Sequence, residues 1–142
     1  MKLKLNCILL IDDDEPTNFL NRMTLEQADC TQSVQTIQSG QEALDYLMHQ
    51  GKYELVHDCP HPDLIFLDIN MPAMDGWEFL EKYRQLPPEQ KASIVMIMLT
   101  TSLNPDDQQR AGAIPEIDGF EHKPLRIDRL KEVLKNYFPD RL

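Results

Sequence analysis

Residues 7–14 read Cys7-Ile8-Leu9-Leu10-Ile11-Asp12-Asp13-Asp14, an unbroken apolar run that stops at three consecutive acids. A strand with one wet face alternates apolar and polar residues, whereas a strand buried on both faces is continuously apolar. Two further runs have the same character, Leu64-Ile-Phe-Leu67 and Ile94-Val-Met-Ile-Met-Leu99. Helical patterns lie between and after them. Pro16 to Gln27 carries Phe19, Leu20 and Met23 as its apolar face, and Gly40 to His49 carries Ala43, Leu44, Leu47 and Met48 behind a capping Ser39. Asp75 to Leu86 carries Phe79, Leu80 and Tyr83, Asn104-Pro105 opens a short helix, and Ile127 to Phe138 aligns Ile127, Leu130, Val133, Leu134 and Tyr137. Weaker strands near Val34 to Ile37 and Ile117 to His122 complete five β/α units. Strand alternating with helix predicts an α/β, doubly wound parallel sheet with five helices on its two faces.

Composition narrows the function. The 142 residues fit one domain, so the expected organisation is a single domain over 1–142 with no output domain. No leader precedes a cleavage site, and no apolar run approaches membrane-spanning length, so the expected location is cytoplasmic with no membrane association. Three widely spaced cysteines, Cys7, Cys30 and Cys59, form no disulfide framework and suit a reducing compartment. A formal net charge of −10, with 24 acidic against 14 basic residues and no basic cluster, argues against nucleic-acid binding.

In an open parallel sheet, ligands bind beyond the carboxyl ends of the strands. Those ends offer Asp12-Asp13-Asp14, then Asp68, then Thr100-Thr101-Ser102, then Lys123-Pro124. If the first and third strands are neighbours, Asp12, Asp13 and Asp68 meet. At an effective dielectric near 20, two carboxylates ~4 Å apart repel by about 4 kcal/mol, so such a cluster invites a hard divalent cation such as Mg²⁺. Beside that cation Asp68 is a plausible nucleophile toward phosphorus, with Thr100 donating to one phosphoryl oxygen and Lys123 pairing with another. Taken singly these residues have blander readings: helix caps for the acids (Asp14 fits the cap best), a turn residue for Asp68, backbone satisfaction for Thr100, a surface amine for Lys123.

The combination resembles the bacterial response-regulator receiver domain. The stretches that carry the likeness are Ile11-Asp12-Asp13-Asp14, Leu67-Asp68-Ile-Asn70-Met71-Pro72-Ala-Met-Asp75-Gly76, Leu99-Thr100-Thr101-Ser102 and Gly119-Phe120-Glu-His-Lys123-Pro124. The resemblance implies a flavodoxin-like sheet of order 2-1-3-4-5 and a two-component phosphorelay protein. It further implies that Asp12 and Asp13 bind the metal, that Asp68 is phosphorylated and also a ligand, and that the Asn70 backbone carbonyl completes the metal shell. Thr100 becomes the switch hydroxyl, Phe120 the switch aromatic, and Lys123 the phosphate-pairing lysine ahead of a cis Pro124. Implied partners are a sensor histidine kinase or histidine phosphotransfer protein upstream and a separate downstream protein, with the chain itself a monomer or weak homodimer. Its catalysis is confined to accepting and slowly losing its own phosphoryl group.

Some features depart from the family. Phe120 lacks the hydroxyl that could hold an aromatic switch inward, and Pro115 breaks regular helix before the last strand. Residues 49–62 form a long connection in which His57-Asp58-Cys59-Pro60-His61 hints at Zn²⁺ but lacks a closing ligand pair. Two other function classes stay open: a Mg²⁺-dependent phosphohydrolase, which needs a second acid where Asn70 stands, and a docking module that has lost phosphotransfer.

Overall fold

A computed structural model describes residues 3–56, 59–91 and 93–141. Five parallel strands, β1 (Ile8–Ile11), β2 (Val34–Ile37), β3 (Leu64–Leu67), β4 (Val95–Thr100) and β5 (Gly119–His122), form one sheet in the order β2-β1-β3-β4-β5. The predicted architecture and strand order are those observed. The apolar runs are continuous because their two alternating halves supply two cores. Leu9, Ile11, Ile65, Leu67, Met96 and Met98 point to one face, and Ile8, Leu10, Leu64, Phe66, Ile97 and Leu99 to the other. Burial on both faces is what a parallel sheet covered by helices demands.

The helices are α1 (Glu15–Ala28), α2 (Gly40–Met48), α3 (Gly76–Arg84), α4 (Pro88–Lys91), α5 (Pro105–Gly112) and α6 (Ile127–Tyr137). Helices α2, α3 and α5 contribute to the first core, α1 and α6 to the second. Six α-helices therefore stand, among the described residues, where five helices were expected; the addition among them is the single turn α4, seeded by Pro88 after Pro87. Caps fix the starts as the sequence suggested. Asp14, Ser39, Asp75 and Asn104 each accept a backbone N–H of the first turn. Helix α5 ends at Gly112, ahead of Pro115.

One expectation fails outright. Phe19, Leu20 and Met23 make the apolar face of α1, the face such a helix ordinarily buries, yet they are 62%, 56% and 51% exposed, while Asn18 and Asn21 are 3% and 2% exposed. Hydrogen bonds decide the rotation of this helix. Asn18 Nδ2 donates to the Asp12 carbonyl at 2.8 Å, Asn21 Oδ1 accepts from the Leu125 N–H at 3.3 Å, and only Leu25 adds a large apolar anchor on that side. By contrast α6 buries Leu130, Val133 and Leu134 as its periodicity predicts.

The long connection before β3 holds a 3₁₀ turn, Gly51–Tyr53, and is tied to α2 by Tyr46, whose hydroxyl donates to the Pro60 carbonyl at 2.7 Å. His57 and Asp58 lie outside the described residues. Among the described residues no helix is long and apolar enough to cross a membrane.

Candidate metal and phosphoacceptor site

Strand pairing brings the acids together. Ile11 lies opposite Leu67, so Asp12 and Asp68 leave adjacent strands side by side at the carboxyl edge. Asp12, Asp13 and Asp68 each offer an oxygen, and these oxygens lie within 4.8 Å of one another. Among the described residues no other group of three or more acids, histidines or cysteines converges in this way. Cys59 and His61 join none, so the suggestion of Zn²⁺ in that loop gains no support from the residues described. The three carboxylates are hard oxygen ligands, the donor set a divalent cation takes.

Asp12 and Asp68 are 4% and 6% exposed, whereas Asp13 reaches solvent. The Lys123 ammonium crosses from the end of β5 to pair with Asp12 Oδ2 and, at 3.0 Å, with Asp68 Oδ1. Asp12 Oδ1 accepts the Asp14 N–H at 2.9 Å. Burial pushes the Asp68 carboxyl above the ordinary aspartate range; Lys123 and the Asn70 backbone N–H pull it down, and the Asp12 charge adds to the rise. Burial also works against the Lys123 charge, but its bonds to Asp12 and Asp68 outweigh that effect and hold its proton above the usual lysine range. Asp14, fully exposed, is lowered by its hydrogen bonds from Thr17 and acts as the α1 cap.

Thr100 is the last residue of β4 and is fully buried. Its Oγ1 accepts the Ser102 N–H at 3.0 Å, and Ser102 Oγ is 2.5 Å from Asp107 Oδ2 on α5. Lys123 N–H donates to the Thr100 carbonyl at 2.8 Å, so the threonine and lysine strands are locked at the same edge. The Lys123–Pro124 peptide is cis. Phe120 sits mid-strand opposite Met98, half-buried against the α2, α3 and α5 core, its ring 5.6 Å from the His122 ring and edge-on to it. Asn70 keeps its side chain exposed.

The loop from Asp68 to α3 is held by close backbone approach. Gly76 N–H donates to the Ile69 carbonyl at 2.7 Å, and a Cβ at Gly76 would lie 2.6 Å from the Asp68 carbonyl oxygen and 2.9 Å from Ile69 Cα. Both obstacles are backbone and cannot swing aside. A Gly76→Ala protein is therefore expected to displace the Asp68 loop, with about 1–3 kcal/mol lost in a denaturant melt; an unchanged midpoint would mean the loop relaxes freely. Trp77, the next residue, lies under the Arg110 guanidinium at 4.3 Å from its ring centroid, which joins the start of α3 to α5.

A family model for the response regulator receiver domain matches residues 8–135. The chain belongs to the response-regulator receiver family. Relatives of this receiver include Response regulator Rcp1 of Synechocystis sp., 35% identical over 100 residues that cover 70% of this chain and 65% of Rcp1. Sporulation initiation phosphotransferase F of Bacillus subtilis is 28% identical, with 93% of each chain covered. Among solved structures, a two-component response regulator from Cytophaga hutchinsonii superposes with TM-score 0.83 at 32% identity, covering 96% of this chain and 98% of that one. A Mn²⁺-bound form of Rcp1 superposes with TM-score 0.74 at 26% identity, 96% of both chains being covered.

Sequence reasoning thus located every acid, the threonine and the lysine that the fold gathers at this edge. It missed Asn18 and Asn21, which sit beneath the site. The available signal was their spacing of three on α1, opposite the apolar stripe.

Proposed function

We propose that this receiver accepts a phosphoryl group on Asp68 from a phosphohistidine of a sensor kinase or histidine phosphotransfer protein in the cytoplasm, and thereby switches a protein-docking face. The observation that carries this reading is the single ammonium of Lys123 shared by Asp12 and Asp68 where three carboxylates converge. Mg²⁺, held by Asp12, Asp13, Asp68 and the Asn70 backbone carbonyl, would offset charge on the attacking carboxylate and the incoming phosphoryl group. The Asp68 oxygen forms the new P–O bond as the P–N bond to histidine breaks and its electron pair leaves with the imidazole. Lys123 then turns from Asp12 to a phosphoryl oxygen, and Thr100 gives its hydroxyl bond to another. Movement of Thr100 releases Ser102, whose link to Asp107 passes the change to α5. Phe120, lacking a hydroxyl, follows by burial alone, and the α5–β5–α6 surface carries the output to a separate protein.

Incubation with acetyl phosphate and Mg²⁺, followed by intact mass, should give one phosphoryl addition that decays slowly. Rapid multiple turnover of phosphate esters would instead mark a hydrolase, and no addition with any donor would defeat the proposal. The exposed Phe19, Leu20 and Met23 give the donor protein a place to dock, since Leu20 lines a groove shared with Lys123, Pro124 and Thr101. Phe19→Asp should slow transfer from the phosphohistidine protein by about tenfold or more, while uptake from acetyl phosphate stays within about twofold. Equal slowing with both donors would place the defect in the site and not in docking.

A further inference from the structure

Helix α1 turns a largely polar side toward the sheet. The side turned inward carries Asn18, Asn21 and Thr24, spaced three apart so that they stack along one stripe. Asn18 Nδ2 donates to the Asp12 carbonyl at 2.8 Å. Asn21 Oδ1 accepts the Leu125 N–H at 3.3 Å, and the Thr24 hydroxyl donates to the Leu125 carbonyl at 3.1 Å. Leu125 is the second residue after Lys123. One helix stripe therefore grips both the turn that presents Asp12 and the turn that presents Lys123.

Asn18 satisfies one backbone carbonyl while its own oxygen goes unsatisfied. Asn18 Oδ1 is buried with no hydrogen-bond partner. Flipping the amide would not help, because it would set Oδ1 against the Asp12 carbonyl. The space bordered by Asn18, Asn21, Asp12 and Asp68 has no room for a water molecule that could satisfy it. An orphaned buried acceptor is unfavourable; a leucine at this position would remove it and add apolar burial next to Leu10, Phe66 and Leu99, but would take the donor from the Asp12 carbonyl. The amide leaves its own oxygen unsatisfied and spends its donor on holding the Asp12 backbone in place.

We infer that Asn18 and Asn21 are positioning residues for phosphoryl acceptance, Asn18 setting Asp12 toward the metal and Asn21 setting Lys123 toward the phosphoryl group. The inference rests on the reading of Asp68 as phosphoacceptor. The two residues act on different quantities, because Asp12 is a metal ligand in that reading and Lys123 is not.

The test uses the full chain and its Asn18→Leu and Asn21→Leu variants. Mg²⁺ affinity is read from the fluorescence of Trp77, the single tryptophan. Melting temperature is taken without metal, and adduct formation from acetyl phosphate is timed at saturating Mg²⁺. Asn18→Leu should weaken Mg²⁺ binding about tenfold, as loss of an outer-shell partner does. Its rate at saturating Mg²⁺ should return to near wild type. Asn21→Leu should bind Mg²⁺ within about twofold of wild type yet react about tenfold more slowly at saturation, since the displaced group is the lysine. Should either leucine variant fail to fold, Asn18→Ala and Asn21→Ala, which add no bulk, are read in the same way. Variants that match wild type in both affinity and saturated rate overturn the inference, whatever their melting temperatures. A wild-type chain that binds no Mg²⁺ or forms no adduct overturns the phosphoacceptor reading, and this inference with it.

Discussion

An Asp68→Asn protein is expected to show no covalent adduct with any phosphodonor while keeping its fold. The amide has the same shape as the carboxylate but no anionic oxygen to attack phosphorus, so the loss is complete and not graded. The fold survives because Asp68 is a net electrostatic burden when no metal is bound. Burial raises its pKa against the pull of Lys123, which means the folded state holds the Asp68 proton more tightly than the unfolded chain does. A raised carboxyl pKa contributes stability at pH below the ordinary aspartate value, and that contribution is lost as pH rises through the folded value. Asparagine avoids the loss, and Lys123 still has Asp12 as a partner. Metal-free Asp68→Asn should therefore melt no lower than wild type at pH 7, and its advantage should shrink as pH falls toward 4. Intact mass and a pH series of thermal melts check both halves. A residual adduct would point to another acceptor, and a marked drop in melting temperature at pH 7 would show Asp68 to be a structural anchor.

Lys123→Ala should produce the largest change in stability. Its ammonium lies between two carboxylates that are each more than nine-tenths buried. Removing one partner of a buried ion pair costs about 3–5 kcal/mol, and here the two acids left behind also repel each other. Natural domains have about 5–15 kcal/mol in hand, so the metal-free variant should melt on the order of 10 °C lower. Divalent cation then becomes a substitute charge. Added Mg²⁺ should raise the variant's melting temperature by more than it raises that of wild type, because no ammonium competes for Asp12. Adduct formation should still fall, since the phosphoryl group has lost its cationic partner. A variant that melts like wild type without metal would mean that the two carboxylates are already relieved by solvent.

The sequence made the sheet and its carboxyl edge readable because both obey local rules. Short continuous apolar runs bounded by polar or proline-containing segments are the pattern of strands covered on both sides, and in a parallel sheet the polar residues that end them emerge at the same edge. Asp12, Asp68 and Thr100 follow from that logic, and Lys123 from its place after the weaker fifth strand. Helix α1 did not follow, because amphipathic reasoning assumes that the apolar stripe faces the core. Phe19, Leu20 and Met23 satisfy the helical period and still face solvent, since Asn18 and Asn21 meet backbone groups of Asp12 and Leu125 that no local pattern announces. Those contacts join residues 104 apart in one case, a separation that periodicity does not sense. The single turn α4 and the Trp77–Arg110 contact escaped for related reasons, one being too short to show a period and the other pairing two helices across the core face.

The most direct test of the site is a crystal structure of the chain grown with Mg²⁺ and a phosphoryl mimic. One ion is expected, ligated by carboxylate oxygens of Asp12, Asp13 and Asp68 and by the Asn70 carbonyl, with the Lys123 ammonium withdrawn from Asp12 and resting on the mimic. An ion bound elsewhere, or a lysine still shared between the two buried carboxylates with the mimic in place, would contradict it.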